Sequence, residues 1–310
     1  MIDISVVIPF YNESDSLPEL IDRLLAVLDA LDRKFEILLI DDGSSDNGFQ
    51  IVRQRRELRP EVRGIRLRSN FGKAAALAAG FSESTGAIVI TMDADLQDDP
   101  KEIPRFLDEL DKDFDLVSGW KQVRHDPLEK RLPSKLFNAM TCKLTGVKLH
   151  DFNCGFKAYR REVLTEISLY GDLHRFIPAL AAGRGFRVGE IAVEHHARQH
   201  GKSKYGIERY TRGFLDLLTV LTLTRFSRRP AHLFGGGGVL LSAAGLLINF
   251  YMTVLWVVGE RPIGNRPLFF LGILLLIVGV QFISLGLLAE IITRSLARDE
   301  HPYSIAERIE

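Results

Sequence analysis

From Leu233 to Val258 the chain runs for 26 positions without a charge, and from Leu268 to Ala289 for 22 more. A helix of roughly 20 apolar residues spans the hydrocarbon core of a bilayer, so each stretch is long enough to cross one. The joint between them, Gly259 to Pro267, is short and suits a hairpin. Arg225, Arg228 and Arg229 precede the pair, Arg294 and Arg298 follow it, and Arg261 and Arg266 lie in the joint. This modest positive-inside bias puts both ends of the hairpin in the cytoplasm. Met1-Ile2-Asp3-Ile4 leads straight into a strand with no basic leader, which fits that orientation. The organisation expected is a cytoplasmic domain over 1–206 and an amphipathic juxtamembrane helix over 207–230. Two spans within 231–293 (233–258 and 268–292) and a cytoplasmic tail over 294–310 complete it. Phe214, Leu217, Leu218, Leu221 and Phe226 make the apolar side of the juxtamembrane helix, placed to lie on the membrane surface.

The first 206 residues alternate short β-branched apolar runs with helical patterns. Ile4 to Pro9, Phe35 to Ile40, Gly64 to Leu67, Ala87 to Thr91 and Asp115 to Gly119 read as buried strands. Leu20, Leu24, Leu25 and Leu28 keep helical period, and Ser16 with Glu19 has the spacing of a capping box. Such alternation implies a mostly parallel α/β sheet covered on both faces. The chain carries 40 Lys and Arg against 40 Asp and Glu, so no global basic field points to a nucleic-acid partner. Cys142 and Cys154 are too far apart for a C-x-x-C site and read as free thiols in a reducing compartment.

Ligands of such sheets sit beyond the carboxyl ends of the strands. Four polar motifs fall there: Tyr11-Asn12-Glu13, Asp41-Asp42, Asn70 to Lys73, and Asp93 to Gln97. No G-x-G-x-x-G follows the first strand and no P-loop is present, which disfavours dinucleotide and P-loop binding. Directly after a buried strand, Asp93 and Asp95 share one side of extended backbone and converge on one point. Two carboxylates with water and phosphate oxygens suit a hard divalent ion, Mg2+ or Mn2+. Asp98-Asp99-Pro100 reads as an acidic turn, and Lys73 either neutralises phosphate or is a solvated helix lysine. Lys121 to Lys135 forms a basic rim that faces solvent, phosphate or an anionic membrane. Glu194 to His200 holds three histidines without a nearby carboxylate framework, which argues for a loop contacting solvent or phosphate rather than a metal. Gly201 to Tyr205 reads as a cationic flap.

Taken together, Val6-Val7-Ile8-Pro9-Phe10-Tyr11-Asn12-Glu13, Asp41-Asp42-Gly43-Ser44, Asn70-Phe71-Gly72-Lys73, Asp93 to Pro100 and Asp151-Phe152-Asn153-Cys154-Gly155-Phe156 resemble the family-2, GT-A-fold glycosyltransferases. The subgroup is the polyprenyl-phosphate sugar transferases, of dolichol-phosphate mannose synthase and bacterial GtrB type. The resemblance covers essentially the whole chain and implies a GT-A (Rossmann-like) sheet domain ahead of the membrane hairpin, in a bacterial cytoplasmic (inner) membrane. It also implies a nucleotide-sugar donor, UDP- or GDP-linked, and a polyprenyl phosphate acceptor such as undecaprenyl phosphate. Pro9, Tyr11, Asn12, Glu13 and Asp42 would then surround the nucleoside, with Asn70, Gly72, Lys73, Asp93 and Ala94 as further donor contacts. Asp93, Asp95 and Gln97 would hold the metal, and Asp151 matches the catalytic position. Arg131, Ser134, Arg198 and Lys204 fall at phosphate-contacting positions. Lys121 stands near where relatives carry arginine and keeps the charge without the planar fork. Transfer to a lipid hydroxyl and a non-catalytic scaffold are the alternatives; a homo-oligomer is compatible with either.

Overall fold

The computed structural model describes residues 2–122, 138–167, 173–196, 219–220, 230–259 and 266–296. Two compact units divide the chain, Met1–Leu221 and Thr222–Glu310. The first is built on strands β1 (Ile4–Phe10), β2 (Phe35–Asp41), β3 (Val62–Arg66), β4 (Ile88–Thr91), β5 (Leu116–Lys121), β6 (Lys157–Arg160) and β7 (Val188–Val193). Helices α1 (Leu17–Asp29), α2 (Gly48–Leu58), α3 (Lys73–Glu83), α4 (Ile103–Leu110), α5 (Arg161–Thr165) and α6 (Ile177–Arg184) connect them. The sheet has seven strands in the order β3-β2-β1-β4-β6-β5-β7.

Strand periodicity sorts the core into two layers. Ile4, Val6, Ile8 and Phe10 of β1 pack with Leu20, Leu24 and Phe106 on one face. Val7 points the other way, with Leu38, Ile40, Leu77 and Ile177. Both faces are covered, as near-continuous apolar strands require. Ser16 does stand at the start of α1, but its side chain does not cap the helix. Its hydroxyl turns back and donates to the Glu13 carbonyl, 3.1 Å away.

Among the described strands one runs against the rest. β6 is antiparallel to both β4 and β5, while the β1–β2, β1–β4, β2–β3 and β5–β7 pairs are parallel. Lys157, the first residue of β6, is therefore paired with Thr91 at the end of β4. The reversal brings the segment before β6, Asp151 to Phe156, to the edge where β1, β2 and β4 end.

Among its described residues the second unit holds two long helices, α7 (Pro230–Val257) and α8 (Pro267–Leu296). Within them Phe234–Val257, with 24 residues, and Pro267–Ile292, with 26, are long and apolar enough to cross a membrane. They are not the core of a soluble fold: Leu240, Leu247 and Phe250 are each 70% exposed or more. The helices touch through small residues. A Cβ on Gly238 would lie 2.6 Å from the Gly279 carbonyl oxygen, and one on Gly245 would lie 2.7 Å from that of Gly272. The rising number on one helix meets the falling number on the other, so the pair is antiparallel. Such close backbone approach is how helices associate where no hydrophobic effect drives them together. The juxtamembrane helix expected over 207–230 lies, apart from 219–220 and 230, outside the described residues.

Candidate active site

The loops at the sheet's carboxyl edge hold one another in place through side chains that bond to backbone. Asn12, at φ 53°, is a residue that tolerates the left-handed region. Its N–H donates to Ser44 Oγ at 2.9 Å, and its Oδ1 accepts from the Ser45 N–H at 2.8 Å. The Ser14 N–H donates to Asp46 Oδ2 at 2.9 Å. The loops after β1 and β2 are thereby zipped together. Asp42 reaches the next loop: its two carboxylate oxygens accept the N–H groups of Phe71 and Gly72 at 2.8 and 2.9 Å. Gly72 has φ 90°, a value that glycine alone adopts without strain. This fixed turn launches α3, whose first residue is Lys73.

The Lys73 ammonium lands on the Asp93 carboxylate. Asp93 follows β4 by way of buried Met92, and Ala94, Asp95 and Leu96 are buried as well. Leu96 has φ 59°, rare for a bulky side chain. Its place in the apolar core holds that turn. The Gln97 N–H donates to Asp95 Oδ1 at 3.3 Å, and the Gln97 side-chain amide donates to the His196 carbonyl at 3.4 Å. The amide oxygen of Gln97 is the atom left to act as a ligand.

Three ammonium groups surround Asp93, and their fields act on it. Burial alone would raise its pKa, yet Lys73 and Lys121, with the Lys73 hydrogen bond, hold it at about 2. Asp93 is therefore a carboxylate at any physiological pH. Lys121 is itself buried and sits 2.8 Å from Asp98 Oδ1. Burial works against its charge, but Asp98 more than restores it and raises its pKa. In this conformation Lys121 is engaged inside the acidic turn, facing Asp98 rather than an open acceptor surface. Asp98 is thus more than the solvated turn residue its sequence suggests. Lys157 is also buried, with its Nζ on the carbonyls of Cys154 and of Phe152, the latter at 3.4 Å. Desolvation lowers its pKa. His174 lies close by, and burial followed by the charges of Lys73 and Arg175 pushes its pKa well down, so the ring is neutral.

Gly155 supplies space. A Cβ there would lie 2.7 and 2.8 Å from the two Asp93 oxygens. The Thr91 hydroxyl donates to the Gly155 carbonyl at 2.8 Å and keeps this segment against β4. Asp151, at the other end of the segment, is 1% exposed. Its Oδ1 accepts from the Asn153 N–H at 3.0 Å, and its own N–H donates to Glu190 at 3.1 Å. Glu190 also accepts the His150 N–H and lies 2.7 Å from the His150 ring. Trp120 stacks on that ring with centroids 4.0 Å apart. Trp120, Glu190, Lys157 and His174 support the site without carrying a motif of their own.

Pro9, Tyr11 and Glu13 are half-buried at the same edge, and Asn70 is exposed. Arg131, Ser134, Arg198 and Lys204 lie outside the described residues. After β7 the chain turns toward the acidic loop. Asp98 bridges His195, and the His196 N–H donates to the Gln97 carbonyl at 2.9 Å. Asp99, Glu194 and His196 consequently bring one ligand atom each to within 4.8 Å of one another. A second carboxylate beside that of Glu194 thus arrives from the acidic turn, 95 or more residues earlier in the chain.

The residues fit a hard divalent ion. Carboxylate and amide oxygens are the donors Mg2+ and Mn2+ take. Asp93 is held ionised, and the missing side chain at Gly155 leaves its carboxylate room.

A mostly parallel sheet with an acidic x-Asp-x-Asp turn and a reversed strand beside it is the GT-A plan. The chain belongs to glycosyl transferase family 2, whose model matches residues 5–168, and is an enzyme of that glycosyltransferase class. It is 41% identical over 306 residues to a dodecaprenyl-phosphate galacturonate synthase of Rhizobium johnstonii, covering 96% of this chain and 90% of that one. It is 38% identical over 293 residues to an undecaprenyl-phosphate 4-deoxy-4-formamido-L-arabinose transferase of Edwardsiella ictaluri, covering 94% and 89%. Among solved structures, glucosyl-3-phosphoglycerate synthase from Mycobacterium tuberculosis, in complex with Mn2+, UDP-glucose and phosphoglyceric acid, aligns with a TM-score of 0.55. That pair is 18% identical over 71% of this chain and 80% of the other, a likeness of fold.

Proposed function

We propose that this protein transfers a sugar from a UDP- or GDP-linked donor to a polyprenyl phosphate at a bacterial inner membrane, with inversion at the anomeric carbon. The observation that carries the reaction type is the Asp93 carboxylate, held ionised at the carboxyl edge of the sheet beside Asp95. The acceptor class rests on the two relatives, whose names both specify a polyprenyl phosphate. The hairpin of α7 and α8 supports a membrane anchor, which confines the search for a lipid acceptor to two dimensions.

In the proposed step an acceptor phosphate oxygen bonds to the anomeric carbon, and the bond from that carbon to the diphosphate breaks. The bonding pair leaves with the nucleoside diphosphate. Bound at Asp93, Asp95 and Gln97, Mg2+ or Mn2+ would offset the charge that develops on the leaving diphosphate. The second pKa of a phosphate monoester is about 6, so most acceptor molecules are dianions at neutral pH and scarcely need a base. Asp151, buried and tied to Asn153 and Glu190, is then the residue that orients the acceptor or takes a residual proton. Arg131, Ser134, Arg198 and Lys204 are proposed to neutralise the acceptor phosphate, and Pro9, Tyr11 and Glu13 to line the nucleoside. Asn12 and Asp42 serve the donor by fixing the loops on either side of it.

The test is a turnover panel. Purified protein in detergent is given UDP- and GDP-sugars with undecaprenyl phosphate, with Mg2+, Mn2+ or EDTA, and released nucleotide is measured. One donor should turn over, only with lipid phosphate and metal, and Asp95→Asn should abolish it. Equal nucleotide release without lipid phosphate would overturn the acceptor assignment.

A further inference from the structure

We propose that Lys73 is a displaceable counter-ion: its ammonium holds Asp93 before the donor arrives, and passes to the donor diphosphate when a divalent ion takes its place. The inference rests on the reading of Asp93 as a metal ligand and adds an order of events to it.

Among the described residues three lysines surround Asp93, and only one is built to leave. Lys121 is anchored 2.8 Å from Asp98, with 13% of its side chain exposed against none for its partner. Lys157 is 3% exposed and fixed on the carbonyls of Phe152 and Cys154. Removing either ammonium from its place would strand buried acceptors. Lys73 is the most accessible of the three. Its side chain is 24% exposed, and the Asp93 carboxylate it touches is 33% exposed, so water reaches the pair. Its backbone, by contrast, is immobilised, because Asp42 grips the N–H groups of the two preceding residues. A fixed Cα with a four-carbon stem lets the charge swing through several ångströms without moving the loop.

An ammonium and a divalent cation on one carboxylate repel each other, so the ion and Lys73 compete for Asp93. A diphosphate arriving with the ion supplies new acceptors for the displaced ammonium. Such coupling is reciprocal: the ion favours the nucleotide by the same factor as the nucleotide favours the ion, and Lys73, displaced by one and bound by the other, contributes to that factor. The consequence is a change of sign. Removing the ammonium tightens binding of the ion alone and weakens binding of the nucleotide.

The experiment uses the full chain in detergent. Free Mn2+ is followed by its paramagnetic resonance signal without nucleotide, and UDP and GDP are then titrated at saturating Mn2+. Lys73→Met should bind Mn2+ about tenfold more tightly and nucleotide about tenfold more weakly, within the usual range of site-to-site coupling. Lys73→Arg should stay near the parent in both. Thermal midpoints confirm that each variant folds, and Lys73→Gln replaces Lys73→Met should the latter not fold. Loss of Mn2+ and nucleotide affinity together, or no change in either, would overturn the proposal. Asp95→Asn separates the two layers of the argument. If Mn2+ binding survives that change, the metal-site reading itself fails, whatever Lys73 does.

Discussion

Replacing Gly155 with alanine adds one carbon at the most crowded point of the site. The new Cβ would stand 2.7 and 2.8 Å from the Asp93 oxygens and 2.9 Å from its carboxyl carbon. Unstrained heavy-atom contacts lie near 3.5 Å, so the carboxylate must retreat by roughly 0.7 Å. Gly155 is not among the positive-φ residues, so alanine meets no backbone strain and the effect isolates the collision. The Asp93 side chain is not sealed in, with 33% of it exposed. It can move outward, and the loss of stability should be at the low end of the roughly 1–3 kcal/mol that overpacking costs. Catalysis should suffer more, because a misplacement of about 1 Å costs on the order of a hundredfold in rate. The expected outcome is a fall of roughly ten- to a hundredfold in turnover at saturating donor. It should come with weaker Mn2+ binding and a thermal midpoint close to the parent. The assay pairs nucleotide release with Mn2+ titration. Parental Mn2+ affinity and turnover would refute the claim that Gly155 makes room for the ligand.

Three further outcomes follow from the geometry. Lys121→Met leaves Asp98 buried without its cation and should lower stability by about 3–5 kcal/mol, with Asp98→Asn in the same chain recovering much of it; thermal unfolding of the four-variant cycle measures this. Asp93 is held at about 2 against an ordinary 3.8, so its stabilisation is complete above the ordinary value and is lost as pH falls toward 2. The difference in thermal midpoint between the parent and Asp93→Asn should accordingly be constant from pH 7 to 5 and shrink only below about 4. Gly245→Leu places a side chain where the Gly272 carbonyl lies 2.7 Å from a bare Cβ. It should loosen the α7–α8 pair by roughly 1–3 kcal/mol, read as earlier unfolding in detergent.

Much of this was legible in the chain itself. The alternation of apolar runs and helical patterns marks a mostly parallel sheet, and two charge-free stretches mark the hairpin. Asp93 and Asp95 are conspicuous because two carboxylates directly after a buried strand have no structural reason to be there. What sequence could not show is long-range. Nothing in Lys157 to Arg160 says that it enters the sheet antiparallel between β4 and β5, yet that reversal is what brings Gly155 to Asp93. Asp42 reads as a carboxylate beside the nucleoside, and only the fold reveals that both its oxygens accept backbone N–H groups from a loop some 30 residues on. Lys121 and Asp98 are separated by 23 positions, so their pairing inside the turn has no local signature. Glu190 and Trp120 carry ordinary strand context, and their grip on the His150–Asp151 segment depends on β5 and β7 being neighbours. Asp99 and His196 meet for a related reason, since β7 delivers its last residues to the acidic turn.

The proposed destination of the sugar is a lipid phosphate. It is tested most directly by the mass of the lipid product, formed by the full chain in bilayer discs given the accepted donor with Mn2+. Undecaprenyl phosphate, undecaprenol and diacylglycerol would be offered together. One new species is expected, undecaprenyl phosphate carrying a single sugar, with the two alcohols untouched. Sugar on either alcohol, or donor consumed with no glycolipid formed, would contradict it.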